Sequence, residues 1–290
     1  MNLDSIIKVL TVVIIGLLIC SLLMTVAWGV VAFVTDTPLF GSANPDQQKK
    51  PAQNTQDTQD TQGDVPTVST PDPSVTLGET ADMGQEYIDS IIFLGDSRTY
   101  HMKNRGVLSG GQSTTQTWSG YDPKTDAPSA TLMLDGMIHK TNIYHELDGK
   151  PKTVAEAVAM EKPAYLFIAL GFNGLASAKE ASFIANYGKL ITSVQQASPK
   201  TKIVLQSIYP VTQAYEQGSS GITNAKIETA NTWIMKVAKQ YGCKYVDTAS
   251  VLKDQNGALM AAYATEDDYH LTKQAYVAIL QYIRTHGYTD

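Results

Sequence analysis

The sequence predicts an α/β domain of the doubly wound kind over residues 84–290. Three observations predict it: short apolar runs recur along this stretch, amphipathic segments separate them, and capping signals mark where those segments begin. Runs that are apolar almost without interruption suit strands of a parallel sheet covered on both faces. Ser90–Leu94 (SIIFL), Ala164–Leu170 (AYLFIAL), Lys202–Ile208 (KIVLQSI) and Lys244–Thr248 (KYVDT) read as such strands.

The helices between them follow from caps and spacing. Thr153-Val154-Ala155-Glu156 reads as a capping box opening a short helix. Ser177-Ala178-Lys179-Glu180 reads as a second box, ahead of Phe183, Ile184, Tyr187, Leu190, Ile191 and Val194 at helical spacing. A third helix carries Ile227, Ile234, Val237 and Tyr241 and stops at Gly242, and a last one is capped by Thr272 and ends near Gly287. Between Ser109 and Lys150 the pattern predicts a strand near Thr114–Trp118 and a hairpin through Asp148-Gly149.

The part before this domain has a different composition. From Val9 to Val34 the chain is apolar and uncharged, longer than the roughly 20 residues a helix needs to cross a bilayer. It exceeds the apolar region of a cleavable signal peptide and lacks small residues at a cut site. Residues 35–83, with TQDTQDTQ followed by DVPTVSTPDPS, are polar and Pro-rich and cannot bury enough surface to offset their ordering entropy. The expected organisation is therefore a short cytoplasmic head (1–8), a transmembrane anchor (9–34), a flexible disordered linker (35–83) and the α/β domain (84–290). Long domains translocate largely regardless of charge, which places this one outside a cell membrane crossed once.

Charge and cysteine usage exclude other classes. The net charge is −6 and Lys and Arg do not cluster after Ser69, so no nucleic-acid partner is expected. Cys20 lies in the apolar run and Cys243 near the far end, so no disulfide scaffold is expected. His101, His139, His145 and His286 lack metal-ligand spacing, so no metal and no cofactor is expected.

In open α/β sheets ligands bind beyond the carboxyl ends of the strands. Gly95-Asp96-Ser97-Arg98 directly follows SIIFL, Gly171-Phe172-Asn173-Gly174 directly follows AYLFIAL, and Asp267-Asp268-Tyr269-His270 lies in the loop before the last helix. Each alone is an ordinary turn or cap. Together they supply a nucleophile, an amide donor and an acid–base pair. A serine hydroxyl attacks only when an adjacent base takes its proton, and His270 is that candidate base. Asp267 is placed to hold one tautomer of the imidazole. The backbone N–H of Ser97 and the amide of Asn173 are candidate oxyanion donors, with a glycine N–H as a third. Asp96 reads as structural, bonding the backbone of the nucleophile turn.

These blocks resemble the SGNH/GDSL hydrolases, whose pattern is Gly-Asp-Ser, a glycine, Gly-x-Asn and Asp-x-x-His. The resemblance covers Tyr87 to about Gly287 and implies a serine esterase with a three-layer α/β/α sandwich, mostly parallel and flavodoxin-like. It implies Ser97, Asp267 and His270 as the catalytic triad, and Ser97, a block-two glycine and Asn173 as the oxyanion hole. Gly120 is the choice for that glycine, with Gly110, Gly111 and Gly136 as rivals. Two departures stand out: Gly174 follows Asn173 where many members carry an acid, and Arg98 replaces the commoner Leu. Arg98 and Gly171 are candidates to touch substrate, although Arg98 also reads as a surface side chain of the first helical turn. Tyr100, Tyr121, Tyr144 and Tyr269 fall near the expected site and would suit sugar stacking, although each taken alone also reads as an ordinary core or surface side chain.

The expected reaction is hydrolysis of an acyl ester, O-acetyl foremost, on a glycan of the cell envelope. Two other readings stay open at this level. One is a glycan O-acyltransferase that uses the same triad beside a membrane acyl-donor protein; the other is a non-catalytic envelope binding module, against which the intact triad speaks.

Overall fold

The computed structural model describes residues 71–135 and 143–289. The head, the anchor and the linker up to position 70 lie outside the described residues, as do Gly136 and His139. Among the described residues no helix is long and apolar enough to cross a membrane.

The four apolar runs form β1 (Ile91–Gly95), β6 (Tyr165–Ala169), β7 (Lys202–Gln206) and β8 (Lys244–Val246). They pair in parallel in the order β1-β6-β7-β8, and β2 (Thr117–Asp122) adds in parallel on the other side of β1. Beyond β2, the short strands β3 (Ala127–Ser129), β4 (Ile143–His145) and β5 (Lys150–Lys152) pair antiparallel, so the eight-stranded sheet is mixed. The β4–β5 pair is the hairpin that Asp148-Gly149 predicts.

Strand alternation builds the layers. Successive side chains of a strand point to opposite faces. In β1, Ile92 and Leu94 join a core with α3 (Val154–Glu161), α4 (Glu180–Ala197) and α5 (Asn224–Tyr241). Ile91 and Phe93 join a second core with α1 (Gly84–Asp89), α2 (Ser97–Asn104) and α6 (Lys273–Thr285). A sheet apolar on both sides needs a helical layer on each, and the result is a three-layer α/β/α sandwich. The Thr153 capping box, the left-handed Gly242 after α5 and the Thr272 cap of α6 all stand as the sequence predicts.

Three expectations are corrected. The strand expected at Thr114–Trp118 begins at Thr117 and runs on to Asp122, because β3 and β4 flank its second half and prolong it. Ser177 does not cap α4: it ends a 3-10 turn, and Lys179 occupies the N-cap position without a side-chain bond. Burial of Phe183, Tyr187, Leu190, Ile191 and Val194 fixes that helix instead. Finally, the flexible linker does not extend to residue 83. Val75 and Leu77 are buried, the Leu77 N–H donates to the Tyr245 carbonyl at 2.8 Å, and Tyr245 N–H donates to Val75 at 2.9 Å. Two apolar side chains among polar ones suffice to lay this segment along the edge of β8. Asp82 then pairs with Arg284 of α6 at 2.8 Å. The folded domain thus starts by Asp72. Leu77→Ala is expected to cost about 2–4 kcal/mol of stability, the usual range for a buried Leu, and urea unfolding measures it.

Candidate active site

The chain leaves β1 for β2 on one side and returns to β6 on the other, so β1 and β6 flank the point where the strand order reverses. Such a switch point opens a crevice beyond the strand ends. Gly95-Asp96-Ser97 and Gly171-Phe172-Asn173 emerge from these two strands, which explains their proximity despite their distance in sequence.

Asp96 shapes the first turn. Its extended backbone and buried carboxylate make it the N-cap of α2, with Oδ1 accepting from the Arg98 N–H at 3.1 Å. Burial pushes its carboxyl up, while the Arg98 charge and backbone N–H groups oppose that rise. Ser97 is therefore the first residue of the helix, where a backbone N–H has no intrahelical partner.

Ser97, His270 and Asp267 meet in one hydrogen-bonded line. His270 Nε2 lies 2.9 Å from Ser97 Oγ, and Nδ1 lies 2.6 Å from Asp267 Oδ2. An ionised carboxylate only accepts, so Nδ1 carries the proton and Nε2 turns its lone pair to the serine. Asp267 Oδ1 accepts from the His270 N–H at 3.0 Å and from Thr265 Oγ1 at 2.8 Å. Partial burial pushes the Asp267 carboxyl up, but the bonds from His270 and Thr265 outweigh it and hold it well below the usual carboxylate range. Asp268 adopts a left-handed backbone and turns away, accepting from Thr212 Oγ1 at 2.9 Å.

Asn173 Nδ2 donates to the Leu132 carbonyl at 3.0 Å, which fixes the plane of the amide and leaves one N–H for a ligand. A cavity of about 270 Å³ opens beside it, lined by Gly171, Asn173, Met133, Ser182, Phe183 and Asn186 among others. Gly171 lines this space with φ +114, and a Cβ there would lie 2.7 Å from the Phe183 ring. A second cleft of about 610 Å³ borders the triad, lined by His101, Arg105, Thr265, Glu266, Asp267 and His270.

Two expectations change here. Gly120 does not follow the strand expected at Thr114–Trp118. It lies within β2, opposite Ser129 on one side and Ile143 on the other, and a Cβ there would run into the Thr131 carbonyl. Close backbone approach accounts for that glycine. Arg98 is not a surface side chain either: it is 3 % exposed, its Nη1 donates to the Tyr209 carbonyl at 2.8 Å, and its guanidinium lies over the Phe172 ring. Its side chain points into the protein, so it is not presented to a substrate in either cleft. Of the four tyrosines, Tyr269 packs on His270 with ring centroids 4.0 Å apart, whereas the Tyr121 hydroxyl is engaged by Asp126.

Sequence reasoning missed Thr265, the Leu132 carbonyl and the position of His101. The His101 ring lies edge-on to His270, centroids 4.7 Å apart, and burial, with Arg105 and His270 close by, lowers its basicity. A capping-type threonine before Asp-x-x-His was the one visible signal among these. Among the described residues no group of His, Cys, Asp and Glu is arranged to hold a metal.

A three-layer sandwich with a Ser–His–Asp line at its switch point defines the class of serine hydrolases acting on esters. Within it, a model of the GDSL-like lipase/acylhydrolase family matches residues 93–278, more than half of the chain, and the chain belongs to that family. Comparison with curated proteins gives no match. Among solved structures, the chain is similar to a GDSL-like lipase from Bacteroides thetaiotaomicron, at 20% identity and TM-score 0.46, covering 69% of this chain and 89% of that one. It is also similar to a carbohydrate esterase family 3 protein from Talaromyces cellulolyticus, at 16% identity and TM-score 0.41, covering 67% and 93%.

Proposed function

We propose that this acylhydrolase is a membrane-tethered, extracytoplasmic esterase that removes acyl groups, O-acetyl foremost, from glycans of the cell envelope. The observation that carries the chemistry is the line Ser97–His270–Asp267. His270 Nε2 takes the hydroxyl proton as Ser97 Oγ bonds to the ester carbonyl carbon. The Ser97 N–H and the free N–H of Asn173 hold the oxyanion. Collapse breaks the bond to the sugar oxygen, which leaves with the proton from His270. Water then attacks the acyl-enzyme by the same route and releases the carboxylic acid.

The cavity beside Asn173 is consistent with this substrate class. Ser177, Ser182, Asn186 and Lys179 give it hydrogen-bonding walls suited to a hydroxyl-rich molecule. The anchor expected over Val9–Val34 and the polar linker behind it support placement at the outer surface of a membrane.

The test uses the full-length chain. Acetate release from O-acetylated peptidoglycan and from p-nitrophenyl acetate is measured beside Ser97→Ala. Release from both, lost in the variant, supports the reading; turnover of the small ester alone removes the glycan, and turnover of neither removes the esterase. Asn173→Ala is expected to lower kcat by about 10²–10³-fold, the usual loss of one oxyanion donor, with KM little changed.

A further inference from the structure

We infer that Arg98 is a positioning residue, whose guanidinium locks the nucleophile turn to the Asn173 and His270 segments through a stack of aromatic rings. The inference rests on the hydrolase reading of the same site. Its basis is a run of face contacts. The guanidinium carbon lies 3.9 Å from the Phe172 centroid. Phe172 stacks on Tyr269 at 5.7 Å and 10°, and Tyr269 lies against His270 at 4.0 Å and 37°. Each member adjoins a working group in the chain: Arg98 follows Ser97, Phe172 precedes Asn173, and Tyr269 precedes His270.

The stack has a fixed end. Arg98 is buried, its Nη1 bonds the Tyr209 carbonyl, and its own carbonyl accepts from Tyr276 of α6 at 2.7 Å. Nε and Nη2 meet no hydrogen-bond acceptor among the described residues, so contact with the Phe172 face is a principal engagement of this group. A cation on an aromatic face is held most strongly when both are out of water. Asp96, also buried, supplies the opposite charge nearby. The arrangement sets the spacing of three segments whose chemistry tolerates little error, because a displacement of about 1 Å costs on the order of 10²-fold in rate. An arginine placed after the nucleophile would then serve alignment from behind the site.

The experiment compares the full-length chain with Arg98→Met, Phe172→Leu and the double variant. Three quantities are read: the rate at which a fluorophosphonate labels Ser97, kcat and KM on p-nitrophenyl acetate, and thermal melting. Each single variant is expected to stay folded, to lose roughly 10–100-fold in labelling rate and kcat, and to keep KM within about twofold. The double variant should be no worse than the weaker single, since both break one stack. Arg98→Lys should restore only part of the rate, because an ammonium lacks the planar face. Unchanged labelling in Arg98→Met, losses that track the unfolded fraction, or additive losses in the double variant would each overturn the inference. A wild-type chain that labels at Ser97 yet hydrolyses no ester removes the proposed function and leaves the stack standing. One that does not label at all overturns both.

Discussion

Ser97→Ala is expected to abolish ester turnover, with kcat lower by on the order of 10⁴–10⁶-fold. The size follows from the mechanism: without Oγ no acyl-enzyme forms, and His270, held by Asp267, has no hydroxyl proton to take. What survives is direct attack by water on an ester held by the oxyanion donors. Stability should hardly move, because the change removes one hydrogen bond, 2.9 Å from His270, and leaves the Asp96 cap in place. Initial rates with p-nitrophenyl acetate, melting temperature, and mass spectrometry of a trapped acyl-enzyme check it together. A folded variant that keeps a tenth of the wild-type rate would show that another group is the nucleophile.

Asp267→Asn is expected to cost about 10³–10⁴-fold in kcat. The amide can turn its N–H toward His270, which forces the imidazole proton onto Nε2 and points a donor, not a lone pair, at Ser97. The wild-type bond of 2.6 Å to Nδ1 prevents that. A pH series adds a second signature. The Asp267 carboxyl is held below its ordinary value by His270 and Thr265, so its contribution to stability is present above the unfolded-state value near 4 and fades as pH falls toward the folded-state value. Melting temperatures followed into acid should therefore fall less steeply in Asp267→Asn than in the wild type. The same slope in both would show that the carboxylate gains nothing from its partners on folding. Solvent screening keeps this effect small, since the Asp267 side chain is 45% exposed.

The legibility of the fold in the sequence depended on where the apolar surface lies. β1, β6, β7 and β8 are runs buried on both faces, so hydrophobicity alone reveals them. The stretch from β2 to β5 consists of short strands of mixed polarity toward one side of the sheet, where pairing partners decide the boundaries; there local pattern alone displaces β2 and leaves Gly120 beyond its end. Val75 and Leu77 read as linker, because two apolar residues in a polar segment carry little signal until a sheet edge receives them.

The same division runs through the site. Side-chain chemistry and position after a strand were enough to bring Ser97, Asn173, Asp267 and His270 forward, because few residue types perform nucleophilic acyl transfer and the strand ends are where an α/β sheet opens. Arg98 shows the limit. Its neighbours in sequence predict a solvated side chain on a first helical turn, and only packing against Phe172 and Tyr209, from other strand exits, turns it inward. By itself the sequence determined the layered fold, the family and the chemical types at the site. Tertiary structure alone decided the tautomer of His270, the orientation of Asn173 by the Leu132 carbonyl and the burial of Arg98. These are relations between segments far apart in the chain, and no local pattern encodes a distance between them.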